Sequence, residues 1–142
     1  MIKALIDTNV VLDALAAREP FRAAAERIFM LAAREKFQGY ITANSSTDIY
    51  YLVRKHASGA LAREALHNLL QLFAIIDITG RDCEKALESP IEDYEDALVA
   101  VCASKISADY IITRDESFLQ ARPPVPLIAP AAFLKLLPDT EG

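Results

Sequence analysis

Ile2-Lys3-Ala4-Leu5-Ile6-Asp7-Thr8-Asn9 decides the reading of this chain: a short apolar strand that stops on an acid and two more polar residues. Near the other end, Asp109-Tyr110-Ile111-Ile112-Thr113 repeats the pattern and runs into Arg114-Asp115. Two further segments, Ser45-Ser46-Thr47-Asp48 and Asp93-Tyr94-Glu95-Asp96, set acids where helices begin. Helical segments alternate with the strands, and that alternation implies a parallel sheet covered on both faces. The expected fold is therefore α/β, a three-layer α/β/α arrangement with a central parallel sheet. Ligands in such folds collect at the carboxyl ends of the strands, where Asp7 and Asp115 fall. If the strands lie side by side, the four acids converge on one edge.

The remaining elements follow from periodicity and punctuation. Asn9 to Ala17 reads as a short helix, and Pro20 fits the first turn of a second. Phe21, Ala24, Ala25, Ile28, Leu31 and Ala32 recur there at helical spacing. Gly39 precedes a strand at Tyr40-Ile41-Thr42. Asn44 or Ser45 is placed to cap a third helix running to about His56, broken by Ser58-Gly59. A fourth helix carries Leu61, Ala65, Leu66, Leu69 and Leu72 on one face. Phe73 to Ile78 reads as a buried strand, and residues 80–88 as a helix. Glu92 to Ser107 forms a helix almost wholly apolar from 97 to 103, which must be covered on most sides. Pro123, Pro124 and Pro126 stiffen the next connection. Val125 to Ile128 adds an edge strand, and Pro130 opens a last helix to Leu137. Residues 1–137 form one domain, and 138–142 a short frayed tail.

Composition narrows the class. A chain of 142 residues with 53% apolar content is a single globule with a sizeable core. The first 17 residues are apolar, but Asp7 and Asp13 interrupt them and the basic start is Lys3 alone, so no export signal is read and the expected location is the cytosol. No stretch is apolar enough to span a membrane. Cys83 and Cys102 lack metal-ligand spacing, and Cys102 reads as a small buried thiol. His56 and His67 lie far apart, so a metal here would be held by oxygen. A net charge of −5 argues against coating nucleic acid by charge alone, although a cluster of acids already explains much of it.

Each acid has an ordinary structural role open to it. Asp7 can cap the helix that follows. Ser45-x-x-Asp48 resembles a capping box. Asp93 and Asp96 suit a helical first turn, favoured by the dipole. Asp115 can cap a turn over 116–119. Capping alone does not call for Thr8 and Asn9 beside Asp7, and Asp96 adjoins the most apolar stretch of the chain, where a bare charge is costly. Several carboxylates in one crevice repel each other, and a divalent cation is the usual remedy. Taken jointly, the acids point to a metal-dependent hydrolase.

Leu5-Ile6-Asp7-Thr8-Asn9 with Asp13, Asp93-Tyr94-Glu95-Asp96-Ala97 and Ile111-Ile112-Thr113-Arg114-Asp115 together resemble the PIN-domain family, and within it the VapC-type ribonuclease toxins of bacterial toxin–antitoxin pairs. The resemblance spans nearly the whole chain. It implies a PIN-like fold and a catalytic set of Asp7, Asp48, Asp96 and Asp115, with Asp7, Asp96 and Asp115 as metal ligands. Asn9 and Thr113 would be supporting polar groups, and Asp93 an outer-sphere acid. The second position is Asp48 where the family more often has Glu, and the shorter side chain reaches less far. The resemblance further implies Mg²⁺ or Mn²⁺, hydrolysis of RNA, a cognate antitoxin and a homodimer, with helices within 44–73 as the expected seam. Arg114 is a candidate for meeting a phosphate, and Tyr50, Tyr51 and Tyr94 for stacking on bases, with core packing the favoured role for Tyr51. Rival readings are a PIN-domain nuclease of RNA maturation or decay, a degenerate domain that binds without catalysis, and a receiver-type phosphate-transfer domain. The last would need an Asp after its third strand, which Asp77 supplies, and a Lys after its fifth.

Overall fold

In the computed structural model, which describes residues 1–137, the strands are β1 (Lys3–Ile6), β2 (Gln38–Thr42), β3 (Ala74–Ile76), β4 (Tyr110–Ile112) and β5 (Leu127–Ile128). They form one sheet in the order β3-β2-β1-β4-β5, with every neighbouring pair parallel. The first strand is thus central, and Leu5 is in register with Tyr40 on one side and Ile111 on the other. The chain leaves β1 toward β2 and β3, then crosses back to β4 and β5. This makes the β1/β4 boundary the topological switch point, where open α/β sheets form their crevice. The expected tail of 138–142 lies outside the described residues.

Alternation along each strand sorts the core into two sides. Ala4 and Ile6 of β1, Ile41 of β2 and Ile112 of β4 pack with Val10 and Val11 of α1 (Thr8–Leu15) and Ile28 and Leu31 of α2 (Arg22–Ala33). Ile49 of α3 (Ala43–His56), Leu69 of α4 (Gly59–Leu72) and Phe133 of a helix at Pro130–Leu136 complete that layer. On the other face, Leu5, Ile76 and Ile111 meet Val99, Cys102 and Ala103 of a helix at Tyr94–Lys105 and Phe118 of a short helix at Glu116–Leu119. With α5 (Gly80–Glu88) the Tyr94–Lys105 helix becomes α6, the short one α7 and the last α8. The period of two required of strands buried on both faces is thus observed, and the three-layer α/β/α fold with it.

The apolar helix α6 is sandwiched as its composition demands, between the sheet and α5, where Ala86 packs on Ala97 and Leu98. Cys102 is fully buried within it, and burial pushes its thiol up to about 11. Gly39 is forced by close approach, since a Cβ there would stand 2.6 Å from the ring of Phe73. No helix among the described residues is long and apolar enough to cross a membrane.

Three local expectations are corrected. Pro20 precedes the second helix rather than opening it: α2 starts at Arg22, and the Glu19–Pro20 peptide is cis. The third helix starts at Ala43 directly from β2, with Thr42 at the N-cap position, so Asn44 and Ser45 lie inside its first turn. The Ser45–Asp48 capping box is therefore absent, because Ser45 is buried and its hydroxyl meets Thr8 (2.6 Å) and Thr42 (3.0 Å) instead. The third strand is shorter than 73–78, spanning Ala74–Ile76.

Candidate active site

Beyond the last paired residues of the two central strands, Ile6 and Ile112, the chain continues as Asp7 and Thr113. The Asp7 amide still donates to Ile112 O at 2.9 Å, so the acid is fixed to the strand end. Its Oδ1 accepts from Thr8 N (2.9 Å), which caps α1, and its Oδ2 accepts from Thr113 Oγ1 (2.8 Å) and Asn9 Nδ2 (3.4 Å). The same Thr113 hydroxyl accepts the Asp115 amide at 3.2 Å. Asp7 and Asp115 are thereby joined through one fully buried threonine. Asp115 also caps α7, its Oδ1 accepting from Ser117 N (3.0 Å) and Ser117 Oγ (2.8 Å). Capping and clustering are thus simultaneous roles, not alternatives.

The N-terminus of α6 brings the third acid. Asp93 is its N-cap, accepting from Asp96 N at 2.9 Å, and Asp96 is buried at 9% exposure. Burial first, then repulsion from Asp93, Asp7, Asp115 and Glu95, pushes Asp96 up to about 7. Asp7 is raised by burial and by Asp115 and Asp93, against the pull of its hydrogen bonds from Thr113 and Thr8. Glu95 is raised by burial, then by Asp48, Asp7 and Asp93. These couplings bring Asp7, Asp93, Asp96 and Asp115 into one electrostatic group at the switch point. Asp48 lies exposed on α3 at its rim, where its charge is felt by Glu95. A cavity of about 590 Å³ opens beside the group, lined by Asp93, Asp96, Ser117 and Gln120.

Two residues without an assigned role in the sequence belong here. Glu95 shares the first turn of α6 with Asp96, and its position between two acids was the available signal. Asp13 is 1% exposed and takes a two-pronged grip from Arg114, Nε to Oδ2 at 2.6 Å and Nη2 to Oδ1 at 2.9 Å. The Arg114 guanidinium also stacks 3.9 Å over the Phe21 ring. Arg114, a candidate for phosphate contact, is instead committed to holding α1 against the end of β4. Tyr51, expected in the core, is 62% exposed. Asp77 follows the edge strand β3, remote from the central pair, and Ala129-Pro130 rather than a lysine follows β5, which removes the receiver-type reading.

The donors suit a hard divalent cation. Among the described residues no three Asp, Glu, His or Cys side chains form a ready-made chelate. Nevertheless every donor at the group is an oxygen, burial and then like charges raise three of the acids, and Asn9 Oδ1 is buried with no hydrogen-bond partner. Unpartnered buried oxygens and mutually repelling carboxylates are what a cation relieves.

Comparison with known proteins agrees with this fold. A family model described as the PIN domain matches residues 3–117. Among solved structures, the fold is similar to VapBC2 from Rickettsia felis bound to a promoter DNA fragment, with TM-score 0.67, 18% identity and coverage of 90% of this chain and 98% of that one. A toxin–antitoxin complex from Klebsiella pneumoniae gives 0.66, 23%, 89% and 97%. VapC20 of Mycobacterium tuberculosis, a sarcin-ricin loop cleaving toxin, gives 0.65, 16%, 87% and 99%. No curated protein matches the sequence. The family match covers most of the chain, including β1, α6 and β4 with the acids they carry, and the chain belongs to the PIN-domain family.

Proposed function

We propose that this protein is a metal-dependent endoribonuclease acting as the toxin of a toxin–antitoxin pair. The observation that carries the catalytic reading is the Asp7–Thr113–Asp115 relay at the switch point, with Asp96 buried beside it. Asp7, Asp96 and Asp115 would hold Mg²⁺ or Mn²⁺, which when bound makes water more acidic and offsets charge developing on a phosphate. Thr113 fixes the Asp7 carboxylate by donating to Oδ2, and Asn9 brings an amide to the same oxygen. Asp93 acts from one step outside through its hold on the Asp96 amide, and Asp48 borders the entrance. No Cys or His stands in the cluster among the described residues, and the Ser117 hydroxyl beside it is engaged in the α7 cap by donating to Asp115 Oδ1, which favours direct attack by water and a 5′-phosphate product. The toxin assignment, with an antitoxin partner, follows the likeness to VapBC assemblies, and the homodimer is carried over from the resemblance of the sequence motifs. The absence of a ready-made chelate among the described residues favours one alternative, a PIN domain that binds without cutting.

The test is incubation of the purified protein with a labelled RNA mixture in Mg²⁺ or Mn²⁺ and in EDTA. Metal-dependent cleavage supports the nuclease. No cleavage together with no calorimetric metal binding would favour the binding module.

A further inference from the structure

Asp7 is fixed to a strand end, whereas Asp48 stands beyond the end of β2, inside α3. An aspartate has a single methylene and little reach of its own. Whatever fixes the first turns of α3 against α1 therefore decides how near Asp48 comes to Asp7.

A chain of hydroxyls runs between those two helices. Thr8 Oγ1 and Ser45 Oγ are 2.6 Å apart, Ser45 Oγ and Thr42 Oγ1 are 3.0 Å apart, and Thr42 Oγ1 donates to Asn44 Oδ1 at 2.6 Å. Counting protons gives the chain a direction. Asn44 Oδ1 can only accept, so the single Thr42 proton is spent on it. Ser45 must then donate to Thr42, and Thr8 must donate to Ser45. No other arrangement satisfies all three contacts. Thr42 and Ser45 are both buried, which makes water a poor substitute for a lost partner.

Packing alone does not call for this chain. Val10, Val11 and Ile49 already bury α1 and α3 in one apolar cluster. Apolar contact is non-directional, whereas a hydrogen bond fixes a length and an angle. Both ends of the chain lie beside acids. Thr8 follows Asp7, and its amide donates to Asp7 Oδ1 at 2.9 Å. Ser45 and Asp48 stand at i and i+3 on α3, as neighbours on the helix surface. Glu95, raised first by burial, is raised further by both Asp48 and Asp7, so the two charges reach one carboxyl.

We propose that Ser45 is a positioning residue for the cation site: by accepting from Thr8 and donating to Thr42, it sets Asp48 at a working distance from Asp7. This rests on the metal-dependent nuclease reading above. It adds a residue that touches neither metal nor RNA and acts through Thr8 and through the turn of α3 that carries Asp48.

The probe is Mn²⁺, titrated by calorimetry into the full-length metal-free protein, with thermal melts in EDTA beside it. Ser45→Ala is expected to weaken Mn²⁺ binding about 10- to 100-fold, as loss of a group that orients metal-binding side chains does. It should also lower Tm by about 4 °C, because the Thr8 hydroxyl loses its acceptor. Thr8→Val combined with Ser45→Ala separates the two effects. That pair strands no hydroxyl, so Tm is expected to return to within about 2 °C of the wild type while Mn²⁺ binding stays weak. Asp48→Asn keeps Asp7, Asp96 and Asp115 for the metal, and adding Ser45→Ala there should change binding by less than about threefold. Recovery of Mn²⁺ binding together with Tm in the Thr8→Val, Ser45→Ala protein overturns the proposal, since the chain then serves packing alone. Equal weakening by Ser45→Ala with and without Asp48 also overturns it, since the serine then does not act through that acid. Unchanged Mn²⁺ binding in Ser45→Ala, with the wild type still binding, removes the positioning role and leaves the nuclease reading standing. No Mn²⁺ binding and no cleavage by the wild type would remove both.

Discussion

Replacing Arg114 by Met tests what holds the two sides of the site together. The Arg114 guanidinium gives two short hydrogen bonds to Asp13, a carboxylate 1% exposed. Breaking one partner of a buried ion pair typically costs about 3–5 kcal/mol, because the other charge is left stranded. The stack on Phe21 adds about 0.5–1 kcal/mol. Arg18 reduces the loss, since its Nε already stands 3.8 Å from Asp13 Oδ1 and its side chain is free to move closer. A net destabilisation of about 3 kcal/mol is expected, or about 12 °C in Tm at roughly 4 °C per kcal/mol for a domain of this size. Urea denaturation at pH 7 measures it, with Asp13→Leu and the double variant completing a cycle. The double variant should recover much of the loss, because two apolar groups strand no charge. Arg114→Met within about 1 kcal/mol of wild type, or a double variant as unstable as the sum of the singles, would refute the reasoning.

Asp96→Asn should alter how stability depends on pH in EDTA. The folded pKa of about 7 lies above the ordinary 3.8, so the folded state holds the proton longer. Stability from this group is full below about pH 4 and is lost as pH rises toward 7. Thermal melts of the wild type should therefore fall over that window relative to Asp96→Asn, and parallel profiles would contradict the cluster. Gly39→Ala should cost about 1–3 kcal/mol by overpacking the buried Phe73 ring, and Phe73→Leu in the same chain should recover part of it in urea midpoints. Thr79 caps α5 in a capping box with Asp82, whose Nζ contact from Lys105 at 2.7 Å holds its carboxyl down at about 2. Thr79→Ala should cost about 1 kcal/mol at pH 7, and the Asp82 contribution should persist above about pH 4 and disappear as pH falls toward 2.

Much of the fold was legible because buried parallel strands advertise themselves. Ala4–Ile6 and Tyr110–Ile112 are continuous apolar runs, and each is followed by a polar residue at a point that only a crevice would reward. Asp7, Asp96 and Asp115 came together as their positions at element ends required. Partners set by tertiary contact were not legible. Ser45 reads locally as a cap, but the packing of α3 against α1 turns its hydroxyl toward Thr8. Arg114 reads as a free cation until α1 brings Asp13 beneath it. Tyr51 has core spacing by sequence, yet α3 presents that face to solvent, since Ile49 fills the core on the other side. Helical period fixes which residues share a face, and only the fold decides which face is inward.

The most direct measurement compares RNA cleavage by the wild type, Asp7→Asn and Asp96→Asn in Mn²⁺, with circular dichroism to show that each remains folded. Cleavage by the wild type and at least a hundredfold loss in both folded variants is the expected result. Full activity in either folded variant would contradict the assignment of these aspartates as the catalytic centre.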